Sequence, residues 1–247
     1  MNLINGECLE ELKKIEDKSV DCFICDLPYG TTALKWDKKI DLEDLWIEMK
    51  RTARNDNTPF FFFCNMKLAV DLIISNRKWF RYDIVVKKTR KVGFLNAKKM
   101  PMRNHELLLV FYKKLPTYNK EKYHKKIPNV VYTYKNYDGV CNSKLNSNFK
   151  LGKKYDVKLP CSVLTIPNDS NLSKRFHRTQ KPQEILEWII KYYTNEGDTI
   201  LDPTMGSGST GVACKTLNRN FIGIELNKEY FDVAYERIGV ADIVQFN

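Results

Sequence analysis

Two short stretches of the chain combine residue types that could bind a ligand and act on it. Residues 26–29 read Asp-Leu-Pro-Tyr, so that a carboxylate acceptor, a rigid proline and an aromatic ring stand together. Residues 202–210 read Asp-Pro-Thr-Met-Gly-Ser-Gly-Ser-Thr and form a glycine-rich bend, where a backbone can approach a ligand closely. Because each stretch follows an apolar run, each is expected at the end of a strand.

The glycine-rich stretch also fits a nucleotide-binding pattern. Residues 206–211 match G-x-G-x-x-G, and Glu225 lies 23 residues after Asp202, at the end of the next predicted strand. A carboxylate there can accept hydrogen bonds from both hydroxyls of a ribose. Since NAD and S-adenosylmethionine both contain adenosine, this pattern alone also admits an NAD-dependent oxidoreductase. Two features count against that alternative: only 36 residues follow Gly211, and Asp202 would repel a pyrophosphate but favour an ammonium or sulfonium group.

Apolar periodicity predicts alternating strands and helices along most of the chain. The predicted strands cover residues 20–25, 59–64, 82–87, 107–112, 199–201 and 221–224; the predicted helices cover residues 42–53, 67–75, 182–193, 209–217 and 228–237. This alternation is typical of an α/β fold with three layers, a mostly parallel twisted sheet with helices on both faces. In such a sheet ligands bind beyond the carboxyl ends of the strands, where both stretches are expected.

The positive charge of the chain is concentrated in one segment. The net charge is +11, but residues 85–160 hold 19 Lys or Arg against four acids, while the remaining residues are net −4. Aromatic residues are interspersed among these charges, and residues 113–175 show no clean period, which predicts an irregular basic insertion. Lys and Arg can neutralise phosphates and aromatic rings can stack on bases, so the segment favours nucleic-acid binding over a merely solvated loop.

Taken together, the two stretches resemble the signature of S-adenosylmethionine-dependent DNA amino-methyltransferases, which methylate an exocyclic nitrogen of adenine or cytosine. The acidic motif comes first in the chain, as in the beta class of that family. The resemblance implies a Rossmann-like methyltransferase fold in one domain, residues 1–247. It divides that domain into a catalytic half at 1–112, a basic target-recognition insertion at 113–175 and a cofactor-binding half at 176–247.

The resemblance also implies roles for the first motif. Asp26 and the carbonyl of Leu27 would hold the hydrogens of the target amine, Pro28 would restrict the turn, and Tyr29 would stack on the base. The family usually has proline where Leu27 stands. Methyl transfer of this kind needs no metal, and a base within a duplex must first flip out of the stack.

Further segments are similar to family motifs. Residues 177–182, His-Arg-Thr-Gln-Lys-Pro, look like the segment before the first helix of the cofactor half, with Arg178 in place of proline. Residues 5–8 look like an amino-terminal turn near the donor, with Glu7 where aspartate is commoner. The residues assigned to donor binding are Glu7, Cys8, Asp26, His177, Thr179, Lys181, Asp202, Pro203, Met205, Gly206, Ser207, Gly208, Ser209, Thr210, Glu225 and Leu226.

A third family-like segment, residues 93–106, resembles the target-facing loop and the strand after it. The residues assigned to DNA contact there and just before it are Lys88, Arg90, Asn96, Lys98, Lys99 and Arg103. An acid at position 26 favours adenine-N6 as the target, with cytosine-N4 as the alternative. An inactive nucleic-acid-binding protein is the alternative from another class, but the acids and glycines of the site are intact. The expected partners are double-stranded DNA, a second copy of the chain and a cognate restriction enzyme.

Cysteine usage and hydropathy indicate the compartment. Seven cysteines, an odd number, suggest free thiols in a reducing environment. Cys22 and Cys25 are spaced like half a metal site, but they lie in a predicted buried strand with no second pair nearby, and so they are expected to be core residues. The sequence shows no signal peptide and no apolar run long enough for a membrane span. A cytoplasmic location is therefore expected.

Overall fold

The central element is an eight-stranded sheet. A computed structural model describes residues 1–28, 39–123, 160–166 and 180–239. Its strands are β1 (Asn2–Asn5), β2 (Cys22–Cys25), β3 (Phe60–Cys64), β4 (Phe80–Val92), β5 (Arg103–Phe111), β6 (Val163–Ile166), β7 (Thr199–Asp202) and β8 (Asn220–Glu225). Its helices are α1 (Cys8–Leu12), α2 (Leu42–Thr52), α3 (Met66–Ser75), α4 (Lys120–Tyr123), α5 (Gln183–Tyr193), α6 (Ser209–Thr216) and α7 (Lys228–Ile238), with a 3-10 turn at Phe94–Asn96.

The sheet is mostly parallel, as the sequence predicts. The strand order is β1-β8-β7-β2-β3-β5-β4-β6. Among the described strands, β5 alone runs against the others, since it pairs antiparallel with both β3 and β4. From β2 the chain continues outward to β3, whereas from β7 it continues in the opposite direction to β8. The order therefore reverses between the neighbours β2 and β7, and such a switch point is where open α/β sheets bind ligands.

Helices cover both faces of the sheet. The central strand β3 has apolar side chains on both faces, and each face is buried by packing against a helix. The rings of Phe60 and Phe62 lie 5.4 and 5.3 Å from that of Trp46 in α2. Successive side chains of a strand point to opposite faces, and the Phe61 ring accordingly meets Tyr193 of α5 at 4.8 Å. All of these rings are buried. The three-layer α/β architecture predicted from the sequence is confirmed.

The structure differs from the predicted elements mainly where strands are short or edge-located. β1, α1 and β6 were not predicted, because each is only four or five residues long and shows no readable period. β4 is longer than the predicted 82–87 at both ends, and β5 begins four residues before the predicted 107–112. The chain forms two compact units, Met1–Tyr118 with Ser162–Asn247, and Asn119–Cys161. β6 lies within the predicted insertion 113–175 and pairs with β4 in the sheet.

Five of the six described cysteines are buried. Cys8, Cys22, Cys25, Cys64, Cys161 and Cys214 are all free thiols. Cys22 and Cys25 are completely buried in β2, as expected for core residues. The described residues contain no group of three or more metal-ligating side chains. None of the described helices is long and apolar enough to cross a membrane.

Candidate active site

The acidic motif, which follows β2, and the glycine-rich motif, which follows β7, lie next to each other at the switch point of the sheet. β2 and β7 are adjacent and parallel, with Phe23 opposite Leu201, so that the turns after them leave the same edge side by side. The hydroxyl of Thr204 donates a hydrogen bond to the main-chain oxygen of Asp26 over 3.1 Å. Residues 178 positions apart in the chain are thus joined directly. The expected convergence of the acidic motif and the glycine-rich motif is present in the fold.

The turn after β2 is anchored in the core. The Leu27 side chain is only 3 % exposed and belongs to the cluster beneath α1, α2 and α3. Leucine lacks the fixed ring of the proline that usually stands there, but its burial fixes the turn by packing instead. Asp26 and Pro28 are partly exposed at the edge of the sheet. Tyr29, the predicted stacking ring, lies outside the described residues.

The turn after β7 is built around the carboxylate of Asp202. One of its oxygens accepts a hydrogen bond from the Thr210 hydroxyl at 2.7 Å, and the other accepts one from the Thr204 amide at 3.2 Å. Thr210 lies in α6, so the acid ties the strand end to the following helix. Arg237 of α7 donates hydrogen bonds to the Ser207 carbonyl and to its hydroxyl. The glycine-rich turn is therefore held from both sides before any ligand binds.

Glycine at position 206 satisfies a backbone requirement and leaves open space. Its φ is +54°, in the left-handed region that glycine favours. A Cβ added there would meet no atom within 4 Å. The Gly206 amide donates to Glu225 Oε2 at 2.9 Å, and the Asn227 amide donates to Glu225 Oε1 at 2.8 Å. Two amides thus fix the Glu225 carboxylate at the mouth of this open space, where it can accept ribose hydroxyls.

The amino-terminal turn lies against the same strand end. The Gly6 amide and the Asn5 side chain both donate to the Glu225 carbonyl, at 3.1 and 2.7 Å. Glu7, predicted to contact the donor, caps α1 by accepting from the Glu10 amide at 3.0 Å. Cys8, also predicted there, is buried, and burial together with Glu7 raises its thiol pKa to about 12. Both residues sit next to the candidate donor site and have structural partners of their own.

Electrostatics at the site favour a cationic ligand. Burial raises the pKa of Asp202 to about 7, and the nearby charges of Asp26 and Glu225 act in the same direction, against the hydrogen bond from Thr210. Burial also raises the pKa of Glu225, although backbone amides oppose this. Three acids therefore converge on one edge of the sheet, where a ligand carrying ammonium and sulfonium charge would relieve their repulsion.

Of the remaining residues predicted to bind the methyl donor, most lie at the site and two lie outside the described residues. Lys181 lies in the site, where its ammonium group is 2.9 Å from Asp26 Oδ2 and 3.3 Å from Glu106 Oε2. Leu226 is exposed directly after Glu225, as an apolar wall for an adenine ring would be. The other residues of the glycine-rich set, Pro203, Met205, Gly208 and Ser209, line or support the turn. His177 and Thr179 lie outside the described residues.

The residues predicted to contact DNA lie on a projecting hairpin. We call residues 87–105 the hairpin arm; its ends pair as Lys87 with His105, and Val92 pairs with Arg103 further out. At its tip Phe94 and Leu95 are 78 % and 96 % exposed. Five predicted contacts are exposed along the arm: Arg90, Asn96, Lys98, Lys99 and Arg103. Lys88, the sixth, is partly buried and pairs with Glu106 at 3.1 Å.

Sequence reasoning missed three residues that the fold places at the site. Thr204 stands inside the glycine-rich motif but was given no role, although the adjacency of two strand ends at a switch point could have suggested a contact. Glu106 is an acid at the start of an apolar run in an otherwise basic segment, a signal of a specific partner. Arg237 gave no signal, since a single arginine near the end of a helix is ordinary.

These features fit the adenosylated methyl donor that the sequence motifs imply. Two amides fix the Glu225 carboxylate, Gly206 leaves open space beside it, and Asp202 adds a further acid at the same edge of the sheet. Asp26 stands beside the same turn and can receive the hydrogens of an amine. The arrangement can therefore hold a donor and an acceptor next to one another.

Comparison with known proteins gives the same result. The family model described as DNA methylase, of the N6/N4 class, matches residues 20–236. The type II methyltransferase M.HpaI of Haemophilus parainfluenzae is 29 % identical over 96 % of this chain and 73 % of its own length. The DNA adenine methyltransferase YhdJ of Escherichia coli is 29 % identical over 97 % of this chain and 83 % of its own.

A solved structure with the methyl donor bound is also similar. The M1.HpyAVI–SAM complex is 26 % identical and superposes with a TM-score of 0.66 over 97 % of this chain and 99 % of that one. The family model covers most of the sequence and therefore identifies the chemical class of the methyl donor. The chain belongs to the N6/N4 family of DNA methylases, and its methyl donor is S-adenosylmethionine.

Proposed function

We propose that this methylase transfers its methyl group to the exocyclic N6 of an adenine flipped out of double-stranded DNA. The observation that carries the proposal is the hydrogen bond from the Thr204 hydroxyl to the Asp26 carbonyl. That bond holds the turn that would accept the amine against the turn that would hold the donor. A reaction between two bound groups requires such proximity above all else, because little covalent chemistry is needed from the protein.

The proposed catalytic residues make a poor nucleophile competent. The lone pair of an exocyclic amine is delocalised into the ring, so two acceptors must hold its hydrogens and favour a tetrahedral nitrogen. Asp26 provides one acceptor and the Leu27 carbonyl the other, with Pro28 restricting the turn and Tyr29 stacking on the base. The bound donor supplies the methyl group: the N–C bond forms as the C–S bond breaks, the sulfur becomes a neutral thioether and the amine loses a proton to water.

Donor binding is assigned to the residues around Gly206. Glu225 would accept both ribose hydroxyls, and Leu226 would cover the adenine. Asp202 would face the positively charged end of the donor, which suits an acid whose pKa of about 7 reflects burial without a cation. The predicted contacts from Glu7, Cys8, His177 and Thr179 belong to the same proposal. The described residues among them lie within the same edge of the sheet.

Adenine is proposed over cytosine on the identity of position 26. In this family an acid there accompanies adenine, whereas serine accompanies cytosine. The description of YhdJ as a DNA adenine methyltransferase supports the same choice. Either amine could donate to Asp26 on physical grounds, so cytosine-N4 methylation is the outcome that the experiment below must separate.

The hairpin arm is the proposed DNA-contact surface. It leaves the sheet at the edge that carries the site, and no acid occurs between residues 84 and 105. Its exposed cations suit phosphates, and the exposed Phe94 and Leu95 suit the apolar faces of bases. A basic arm beside the acceptor turn would place duplex DNA where a flipped base can reach Asp26.

The proposed biological setting is a type II modification system, as for M.HpaI. The proposed partners are a cognate restriction enzyme and a second copy of the chain, and the cell's own DNA as substrate implies a cytoplasmic location. Sedimentation at micromolar concentration tests the dimer. Protection of a methylated plasmid against restriction enzymes tests whether the methylated sequence is one that a restriction enzyme cleaves.

The deciding experiment uses labelled S-adenosylmethionine and unmethylated genomic DNA. After incubation the DNA is digested to nucleosides, separated and counted, and the modified positions are mapped on intact DNA. We expect the label in N6-methyldeoxyadenosine at one short sequence. Label in N4-methyldeoxycytidine would replace adenine by cytosine, and absence of label with intact donor binding would refute the proposed activity.

A further inference from the structure

Four side chains form a continuous chain of alternating charge that begins at the proposed acceptor. Lys181 Nζ lies 2.9 Å from Asp26 Oδ2 and 3.3 Å from Glu106 Oε2. Lys88 Nζ lies 3.1 Å from Glu106 Oε1. The order is therefore acid, base, acid, base, running from the turn after β2 to the root of the hairpin arm.

The inner pair of this chain is largely removed from solvent. The side chains of Lys181 and Glu106 are 11 % and 13 % exposed. The ammonium of Lys181 also lies 4.9 Å from the centroid of the Phe63 ring, on the face of the sheet occupied by α5. Burial alone would raise the pKa of Glu106, but Lys181 and Lys88 together hold it below its ordinary value. Exposed ion pairs contribute little, whereas breaking a pair this buried leaves an uncompensated charge.

The fold creates this arrangement from four separate segments. Lys181 directly precedes Pro182, the residue that caps α5. Glu106 lies opposite Val86 in the β4–β5 ladder. Because β5 runs against the other strands, its beginning, where Glu106 stands, is close to their carboxyl ends. An acid at the start of an antiparallel strand can therefore reach the same site as the turn after a parallel one.

We propose that Lys181 is the positioning residue of Asp26, and that Glu106 in turn fixes Lys181. The sequence motif instead suggests contact between Lys181 and the methyl donor. Lys181 holds the carboxylate of Asp26 in one orientation, in which it can accept hydrogen bonds from the amine. The inference rests on the proposed function, since it concerns the same acceptor.

Two measurements separate this role from donor binding. The first is the dissociation constant of S-adenosylmethionine, and the second is the single-turnover methylation rate at saturating donor and DNA. For Lys181→Met we expect a rate about 10- to 100-fold lower, the loss of one charge-assisted hydrogen bond, with the donor constant unchanged within twofold. Lys181→Arg should recover part of the rate because it restores the charge. Glu106→Gln should lower the rate less than Lys181→Met.

The matched control is Lys191→Met. Lys191 lies in α5, the helix that follows Lys181, and pairs with Glu187 at 3.0 Å, so its replacement breaks a lysine–glutamate pair away from Asp26. Its rate and donor constant should equal those of the wild type. The inference is overturned if Lys181→Met weakens donor binding while its rate at saturating donor stays normal. It is also overturned if Lys181→Arg is as slow as Lys181→Met.

A double-mutant cycle on unfolding tests the pairing without any activity. Asp26→Asn, Lys181→Met and the double variant are unfolded in denaturant. We expect the double variant to lose less stability than the two single variants combined, because each single change already removes the Asp26–Lys181 interaction, which cannot be lost twice. Strict additivity would overturn the pairing. A wild type that methylates no DNA would refute the proposed function alone, since this cycle would still decide the inference.

Discussion

The hydroxyl of Thr204 lies 3.1 Å from the main-chain oxygen of Asp26 and donates a hydrogen bond to it. This contact links the two halves of the proposed reaction at their turns. The carbonyl it uses belongs to the residue whose carboxylate would receive the amine, so the bond constrains the backbone from which that carboxylate extends. The geometry of methyl transfer thus depends on a threonine that performs no chemistry.

Thr204→Val keeps the shape of the side chain but removes this bond. We expect a loss of about 1 kcal/mol in the free energy of unfolding, the usual net value of one hydrogen bond. The methylation rate should fall because the two turns can separate. Thr204→Ser retains the hydroxyl and serves as the matched control in chemical denaturation and single-turnover assays. Equal rates for the valine and serine variants would contradict the role of the bond.

Asp26→Ala removes the proposed amine acceptor. We expect methylation to be abolished while the binding of S-adenosylmethionine, followed by calorimetry, stays measurable, because the proposed donor contacts lie mainly in and around the turn after β7. The matched change is Asp71→Ala, a partly exposed acid of α3 paired with Lys39 at 3.1 Å, which should leave turnover intact. Undiminished turnover by Asp26→Ala would refute its assignment.

Glu225→Ala should weaken donor affinity by about 1–3 kcal/mol, through the loss of charge-assisted hydrogen bonds to the ribose. Two backbone amides already orient this carboxylate, so little ordering entropy is spent on binding. Equilibrium binding of labelled donor measures the change. Glu229→Ala, an exposed acid in the first turn of α7, is the control. An unchanged dissociation constant for Glu225→Ala would exclude the ribose assignment.

Donor binding should strengthen as the pH rises from 6 to 8. Because burial raises the pKa of Asp202 to about 7, the acid of the free protein is largely neutral at pH 6 and largely ionised at pH 8. A cationic donor prefers the ionised form, so binding below pH 7 must release a proton. Titration calorimetry in buffers of different ionisation enthalpy measures that release. Asp202→Asn should remove it, and a release that persists in this variant would point to another group.

Neutralising the hairpin arm should reduce the salt dependence of DNA binding. Replacing Arg90, Lys98 and Lys99 with alanine removes up to three phosphate contacts, and the slope of log affinity against log salt should flatten by about 0.9 for each. The control replaces three exposed cations elsewhere, Lys13, Arg77 and Lys78. Fluorescence anisotropy at several salt concentrations gives both slopes. Equal slopes in the two triple variants would place the DNA surface elsewhere.

The parts of the fold that can be read from the sequence are those with strong local signals. The apolar runs of β3 and β8 and the periodic helices α2, α5 and α7 were predicted within a few residues. Both motif turns were expected at the carboxyl edge, and the strand order places them side by side. Local sequence suffices here because buried strands and amphipathic helices carry their own patterns.

What could not be predicted depends on long-range pairing. β6 is a four-residue edge strand whose identity follows only from its partner β4. The outer half of β4 is charged and exposed, so its strand character comes from pairing with β5. The ion pairs of Lys181 join three segments, at positions 26, 106 and 181, and no local period encodes them. For the same reason the motif suggested the donor, whereas the fold brings Lys181 to Asp26.

The reversed direction of β5 has a consequence for how such an enzyme changes its target. Four residues of β4 lie between the pairs Lys87–His105 and Val92–Arg103, opposite a single residue of β5. Such a mismatch absorbs insertions without shifting the register nearer the core. The length and composition of the hairpin arm can therefore diverge while the edge of the sheet that carries the site stays fixed, and if the arm contacts DNA as proposed, exchanging it between relatives should change the sequence preference.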